Sequence, residues 1–233
     1  MNIALFGYGK MGKMIEQIAQ ERGHTIVAKI DVGTANVDYG AMDVAIDFST
    51  PDAAFENITN CFKNGVPVIC GTTGWLSQYE EAMELCKEDK GAFIYASNFS
   101  LGVNIFFELN AHLAKMMSQL EQYKVSMEEI HHTQKLDAPS GTAITLAEGI
   151  IGNSSYRDWK LDTAGDKTIP ITSIREGMVP GTHSICYESD VDSIEIKHTA
   201  HNRQGFALGA VIAAEWIQGK TGVFTMKDVL NLS

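Results

Sequence analysis

The glycine pattern of the first twelve residues, "MNIALFGYGKMG", constrains the fold more than any other feature of the chain. Asn2 to Phe6 is a short apolar run, and Gly7, Gly9 and Gly12 follow it as G-x-G-x-x-G. Met11 to Arg22 then carries Met14, Ile15, Ile18 and Ala19 at helical spacing, and Thr25 to Ile30 is apolar again. Strand, glycine turn, helix and strand make a βαβ unit. In such a unit the first glycine permits a tight turn, and the second leaves room for a pyrophosphate beside the backbone. The third lets helix and strand pack closely, while the helix N-terminus offers amides and a positive dipole to the phosphates. Asp31 closes the second strand nineteen residues after Gly12, where an acid accepts hydrogen bonds from an adenosine ribose. The alternative is a bare βα turn and a solvated strand-end acid. Context and spacing together favour the dinucleotide.

Coenzyme choice turns on the same strand end. An unmodified ribose suits Asp31, and Val32 supplies no guanidinium for a 2′-phosphate, so NADH is expected ahead of NADPH. Lys29 is the nearest cation, and a solvated strand residue is its other reading.

Further strands are expected at 43–49, 66–71 and 91–97, with helices near Pro51 to Lys63 and Leu76 to Lys87. This alternation calls for an α/β fold with a doubly wound parallel sheet of Rossmann type. Ligands in such sheets bind beyond the carboxyl ends of the strands. Those ends read "DFST", "GTTG" and "ASNFS", small polar residues suited to a coenzyme groove or, singly, to turns and helix caps. Only eleven residues separate Asp31 from Asp43, too few for a full crossover helix. A loop or single turn is expected there, leaving the adenosine side open.

From about Leu101 the character changes. Residues 103–120 form an amphipathic helix with Phe106, Leu109, Leu113 and Met117 along one face, and 123–132 alternates like a strand. After a helix from Ser140 comes a loop, then strands near 168–175, 182–188 and 191–198. Hairpin-like spacing suggests a mixed or antiparallel sheet, hence a second domain of α+β type over 101–203. "GFALGAVIAAEWIQ" (205–218) is helical and returns to the first domain, which becomes 1–100 plus 204–233. Two domains leave a cleft, a common place for a ligand, and subunit association would cover an exposed sheet face.

Charge limits the partners. The chain has 18 basic against 29 acidic side chains, net −11, which argues against general binding to nucleic acid or an anionic membrane. Cys61, Cys70, Cys86 and Cys186 show no CxxC pair or ligand-like spacing and read as reduced, buried thiols. The apolar start is too short for a signal peptide, and "GFALGAVIAAEWI" is too short for a membrane span, so a cytoplasmic location is expected.

The richest chemistry lies in "EEIHHTQKLDAPSGTA", residues 128 to 143. On a strand, His131 and His132 point to opposite faces and need not share a task. Lys135 follows in a turn, and Pro139–Ser140–Gly141–Thr142 looks like a capped helix start. The Gly141 and Thr142 amides suit a carboxylate, Lys135 adds a full charge, and a histidine titrating near ~6.5 is a competent proton donor. A polar surface turn is the competing account. Metal binding is not expected, since adjacent histidines diverge and the sequence places no third ligand.

The stretch closely resembles the E-x-H-H-x-x-K-x-D-A-P-S-G-T-A signature of 4-hydroxy-tetrahydrodipicolinate reductases (dihydrodipicolinate reductases) of the diaminopimelate and lysine pathway. The resemblance runs over nearly the whole chain, through "GYGKMG", "DFSTP", "GTTG", "SNFSLGVN", "SIREGMVPGTH", "HTAHNRQGFALGA" and "GVFTMKDVL". It implies hydride transfer from NAD(P)H to a cyclic dicarboxylate imine, with His131 as proton donor and Lys135 as the second catalytic residue. It also implies substrate contacts from His132, Gly141 and Thr142. Coenzyme contacts would fall on the loop Gly7, Tyr8, Gly9, Lys10, Met11 and Gly12, on Asp31, on Gly71, Thr72 and Thr73, and on Ala96, Ser97, Asn98 and Phe99. A homotetramer built through the C-terminal domains is implied as well. Val32 stands where many members carry arginine, and the 31–43 segment is shorter than usual. The signature gives no chemistry to His183, His198 or His201, which count as structural or as supports behind the residues that touch a ligand. An aspartate dehydrogenase-like or other imine-reducing enzyme, or a non-catalytic dinucleotide sensor, are the alternatives.

Overall fold

The computed structural model describes residues 1–31, 33–34 and 37–232. Val32, on which part of the coenzyme expectation rests, lies outside the described residues. The chain forms two compact units, Met1–Leu101 with Gln204–Ser233, and Gly102–Arg203.

The first unit opens with β1 (Asn2–Phe6), α1 (Lys10–Glu21) and β2 (Thr25–Ile30). The described part of the next connection holds a single 3-10 turn, Tyr39–Ala41, where the Asp38 side chain accepts from the Gly40 amide at 3.1 Å. Then follow β3 (Val44–Asp47), α2 (Pro51–Lys63), β4 (Val68–Cys70), α3 (Tyr79–Glu88) and β5 (Ala92–Tyr95). The second unit contributes α4 (Leu101–Met117), β6 (Lys124–His131), α5 (Gly141–Ile151), β7 (Asp158–Leu161), β8 (Thr168–Arg175), β9 (Thr182–Glu188) and β10 (Ser193–Thr199). The chain then returns to the first unit as α6 (Gln204–Trp216), β11 (Gly222–Phe224) and α7 (Met226–Leu230).

The first unit is a Rossmann-like sheet in the order β2-β1-β3-β4-β5-β11, with every pairing parallel. Burial follows position. Every residue of central β3 is buried, as a strand covered on both faces requires, whereas edge strand β2 alternates. Ile15 of α1 and Val211 of α6 pack with Ile3, Leu5 and Ile46 on one face, and Ile58 and Phe62 of α2 pack with Phe6 and Phe93 on the other. Arg22 grips Glu215 of α6 through two hydrogen bonds of 2.8 and 2.7 Å, and His24 Nε2 lies 2.7 Å from the same carboxylate. Because β2 and β3 flank β1 on opposite sides, the chain's winding reverses there, and the carboxyl ends of β1 and β3 form a topological switch point.

The second unit is a mixed sheet in the order β10-β9-β6-β8-β7. Strands β6, β8 and β7 are parallel, while β9 is antiparallel to both β6 and β10. Phe106 and Leu113 of α4 and Leu146 and Ile150 of α5 cover one face. Two expectations need correction. β7 falls in the stretch expected to be loop, because "DWKL" is largely exposed and carries no apolar alternation. Leu109 is 47% exposed, while Phe106, Leu113 and Met117 are buried. At 100° per residue Leu109 sits about 60° from Phe106, at the margin of the buried arc. Asn110 fills the arc instead, wholly buried, donating Nδ2 to the Leu146 carbonyl at 2.8 Å.

All four cysteines are free; Cys61, Cys70 and Cys86 are buried and Cys186 is half-buried. No described helix is long and apolar enough to cross a membrane.

Candidate active site

In the first unit, the glycine loop lies at the switch point. Gly7 has φ +86°, and a Cβ there would stand 2.2 Å from the Phe48 carbonyl oxygen. A Cβ on Gly12 would stand 2.4 Å from the Gly7 carbonyl oxygen, so that glycine lets α1 close on the turn. Gly9 caps α1 with no side-chain hydrogen bond, and a Cβ there would meet nothing within 4 Å. The amide-bearing end of a twelve-residue helix therefore faces open space, as a bound pyrophosphate requires. The residues present fit a dinucleotide.

Around the loop, Lys10 is exposed and Met11 half-buried. The Tyr8 hydroxyl donates to Glu16 and accepts from Lys29 Nζ at 3.1 Å, and Lys29 pairs with Glu16 at 2.8 Å. Hydrogen bonds from Lys29, and then Tyr8, hold the Glu16 carboxyl below its ordinary range, so Lys29 is engaged by a fixed anion. Asp31 is exposed at the end of β2, where its amide donates to Thr34 Oγ1 at 3.0 Å.

A residue outside the expected set organises the neighbouring strand ends. Asp47 is wholly buried and accepts from the Thr72 hydroxyl, the Ser49 hydroxyl at 2.9 Å and Asn57 Nδ2 at 2.8 Å. Burial pushes its pKa up, against the pull of these donors. Thr72 Oγ1 also accepts from the Ser49 amide at 2.8 Å, and Trp75 Nε1 donates to the Thr72 carbonyl at 2.9 Å. One carboxylate thus ties "DFST" to "GTTG". The signal was an acid closing an apolar strand amid hydroxyl residues. Thr72 and Phe99 are buried, Phe99 packing against Phe48 at 5.9 Å between ring centroids, so their backbones rather than their side chains are available to a ligand. Thr73 and Ser97 are exposed, while Gly71, Ala96 and Asn98 are half-buried. The Ala96 amide donates to the Cys70 carbonyl at 3.2 Å, which sets the last two strand ends side by side.

In the second unit, β6 runs out of the core into polar ground. Val125, Met127, Glu129 and His131 alternate onto the buried face, and the last two end the strand. Glu129 is wholly buried. Both its oxygens accept from the Ser140 amide at 3.1 Å, and Oε1 accepts from Arg175 Nη2 at 2.9 Å. Oε2 lies 3.2 Å from His131 Nδ1, an oblique contact of ion-pair length rather than an aligned hydrogen bond. Burial opposes the charge on Glu129, but His131, Ser140, Arg175 and Ser173 outweigh it and hold the carboxyl well below the usual range. His183 faces Glu129 across the β6–β9 ladder, its Nε2 3.1 Å from Ser140 Oγ, its ring edge-on to His131 at 5.1 Å. Burial, and then His131, pushes His183 down to about 4, so it is neutral near pH 7.

Ser140 is the N-cap of α5, and its hydroxyl accepts from the Ala143 amide at 3.2 Å. The preceding amides, of Gly141 and Thr142, have no acceptor within their own helix. A Cβ on Gly141 would meet nothing within 4 Å, so this helix end is open to a carboxylate. Lys135 Nζ contacts both oxygens of Asp137 at 2.8 Å. The hydrogen bond from Lys135, above all, holds Asp137 below the ordinary range. His132 is half-buried and closes the turn by accepting from the Lys135 amide at 3.1 Å. The unit therefore groups His131, an open helix N-terminus and a lysine. The residues missed in sequence are Glu129, Arg175 and His183. Glu129 is the first letter of the signature, and Arg175 and His183 stand within "SIREGMVPGTH", a motif that carries the resemblance but no assigned chemistry. The sequence also placed no third metal ligand, yet ligand atoms of Glu129, His131 and His183 lie within 4.8 Å of one another. Arg175 and the Ser140 amide already engage both carboxylate oxygens, which accounts for this cluster without an ion. A cavity of about 560 Å³ opens at the Lys124 end of β6, away from His131.

Comparison with known proteins matches both parts of the chain to one family. Residues 1–99 match the model "Dihydrodipicolinate reductase, N-terminus", and residues 102–230 match "Dihydrodipicolinate reductase, C-terminus". A 4-hydroxy-tetrahydrodipicolinate reductase of Christiangramia forsetii is 62% identical over 99% of this chain and 98% of its own. Among solved structures, a dipicolinate-bound dihydrodipicolinate reductase from Paenisporosarcina sp. TG-14 shares the fold, with TM-score 0.78, 24% identity and 97% of each chain covered. Aspartate dehydrogenase of Thermotoga maritima shares it more distantly, with TM-score 0.53 and 14% identity over 92% of this chain and 95% of that one.

Proposed function

The chain belongs to the dihydrodipicolinate reductase family, and from that premise we propose that it reduces the cyclic imine derived from 4-hydroxy-tetrahydrodipicolinate to tetrahydrodipicolinate, with His131 as proton donor. The observation that carries this reading is the grouping of His131, Lys135 and the open N-terminus of α5 in one unit, in a chain whose other unit presents an unobstructed glycine loop. When bound, the reduced nicotinamide supplies a hydride. Addition of hydride to a conjugated C=C–C=N system moves an electron pair towards nitrogen and leaves an enamine-like product that takes up one proton. Hydride and proton together complete the two-electron reduction. His131 gives that proton, a contribution typically worth ~10²–10⁴ in rate. Lys135 and the Gly141 and Thr142 amides hold the substrate carboxylates, and His132 adds a further polar contact. Lys135 orients the ring and stabilises charge as the hydride arrives.

NADH is the preferred coenzyme in this reading. Asp31 suits an unmodified ribose. Lys29 pairs with Glu16 and Tyr8, which removes the nearest cation from service to a 2′-phosphate. The working form is taken to be a homotetramer assembled through the second unit, where Val191 (85%) and Ile194 (39%) are exposed apolar residues at and beside β10.

The test is steady-state kinetics of the wild type and His131→Gln with the pathway substrate and both coenzymes, alongside oxaloacetate plus ammonia. Turnover with the pathway substrate should fall about 10²-fold or more in the variant, with NADH affinity unchanged. Equal losses in turnover and coenzyme affinity would mark His131 as structural. Faster NADH oxidation with oxaloacetate and ammonia would favour an aspartate dehydrogenase-like activity.

A further inference from the structure

Glu129 is a costly residue to bury. The same face of β6 carries Val125 and Met127 four and two positions earlier, and an apolar side chain would continue that core. A charged carboxylate stands there instead, at 0% exposure, with partners from three other elements: the Ser140 amide before α5, Arg175 of β8 and, across the ladder, His183 of β9. Such a group persists only where its charge is matched and put to use.

We propose that Glu129 is the positioning residue of the reduction, holding the His131 ring by its Nδ1 edge with a fixed negative charge, so that Nε2 carries the transferable proton. This deepens the assignment of His131 as proton donor and rests on it. Two further observations mark Nε2 as the working edge. Glu129 Oε2 stands 3.2 Å from Nδ1, on the opposite side of the ring. His131 is 7% exposed, and a Cβ on Gly181 would stand 3.1 Å from Nε2, so the absence of a side chain at 181 spares that edge a further contact. After the transfer, Nδ1 keeps its proton towards Glu129, Nε2 is left bare, and solvent restores the proton.

The charged and titratable groups around the ring come from every element packed there. Arg175 of β8 pairs in register with His131, His183 lies on β9 and His198 on β10, and Lys135 and Asp137 occupy the turn. Arg175 and Lys135 are the cations of this set. His183 is neutral, because burial and the neighbouring His131 push it down to about 4. Asp137 is spent on Lys135. The carboxylate that touches the His131 ring is Glu129.

The experiment measures kcat/KM against pH, from 5.5 to 9.5, for the full chain as wild type, Glu129→Gln, His131→Gln and the double variant. Glu129→Gln keeps size and hydrogen-bonding capacity and removes charge. It should lower kcat/KM near pH 7.5 by about 10²-fold, the lower range of a general acid's worth. Because an anion beside an imidazole favours the cationic ring, the variant's alkaline fall should move to lower pH, with NADH affinity unchanged. The double variant should be no slower than His131→Gln, since Glu129 acts through that ring. A Glu129→Gln profile reduced equally at every pH, or a double variant slowed by the product of both losses, overturns the positioning role. If His131→Gln itself runs at the wild-type rate, the proton-donor assignment falls instead. Glu129→Gln leaves half-buried Arg175 without its anion; should circular dichroism show it unfolded, Glu129→Gln with Arg175→Gln removes both charges and is judged by the same shift.

Discussion

Acid should weaken the Gly102–Arg203 unit through His183, and the size of the effect follows from its burial. The ring is 5% exposed, and burial, followed by the nearby His131, pushes it down to about 4. In the unfolded chain it titrates near ~6.5. Between those values the unfolded state binds a proton that the native state does not, so stability rises with pH across that window. Above it the effect is absent, and below it the loss is complete. At about 1.4 kcal/mol per pH unit, the loss from this one side chain reaches about 3 kcal/mol. That is a large share of a domain's usual 5–15 kcal/mol. His198, lowered by burial, adds in the upper part of the same window. Glu129 acts later. Its carboxyl is held below the unfolded value, so its contribution is present above about pH 4.5 and drains away as the pH falls further. Urea unfolding of the wild type and His183→Gln between pH 7 and 4.5, followed by circular dichroism, measures this, and hydrogen exchange of β6 and β9 peptides assigns the transition to this unit. Glutamine retains a partner for Ser140. The stability advantage of the wild type should shrink by about 1.4 kcal/mol for each pH unit below 6.5. Two stability curves that run parallel from pH 6.5 to 4.5 would refute the argument.

Gly12→Ala would bring a Cβ 2.4 Å from a backbone oxygen, which must move with the glycine loop. NADH affinity by fluorescence titration should drop at least about tenfold, against little change in the unfolding of the second unit; undiminished affinity would show that the loop does not grip the coenzyme. Asp137→Asn frees Lys135 from its bidentate partner. Binding of a planar aromatic dicarboxylate should tighten severalfold and become more sensitive to salt. Unchanged binding would place Lys135 outside the anion site.

What could be read from the sequence was what is local. The glycine spacing, Asp31 and the eleven-residue gap before Asp43 lie within one βαβ stretch, and the fold built there is the one expected. His131, Lys135 and the Ser140 cap lie within ten residues of one another, so their grouping could be anticipated. The network behind them could not. Arg175 is 46 positions from Glu129, and only the register of β6 with β8 and β9 sets His131 beside Arg175 and Glu129 opposite His183. Asp47 was hidden for a related reason, because its donors Thr72 and Asn57 arrive from a different strand end and from a helix. β7 and β11 escaped because four largely exposed residues and three half-buried ones carry no period.

The return of α6 and β11 to the first sheet bears on how the polypeptide matures at the ribosome. Val211, Ala214 and Ile217 cover the sheet face that carries Ile3, Leu5 and Ile46, and they are made roughly two hundred residues after it. Until they emerge, that hydrophobic face of the nascent chain is covered only in part, by Ile15, Ile18 and Ala19 of α1. The unit holding His131 is continuous from 102 to 203 and carries no such debt to later sequence. Vectorial synthesis therefore completes the unit holding His131 before the unit holding the glycine loop, although that loop is translated first.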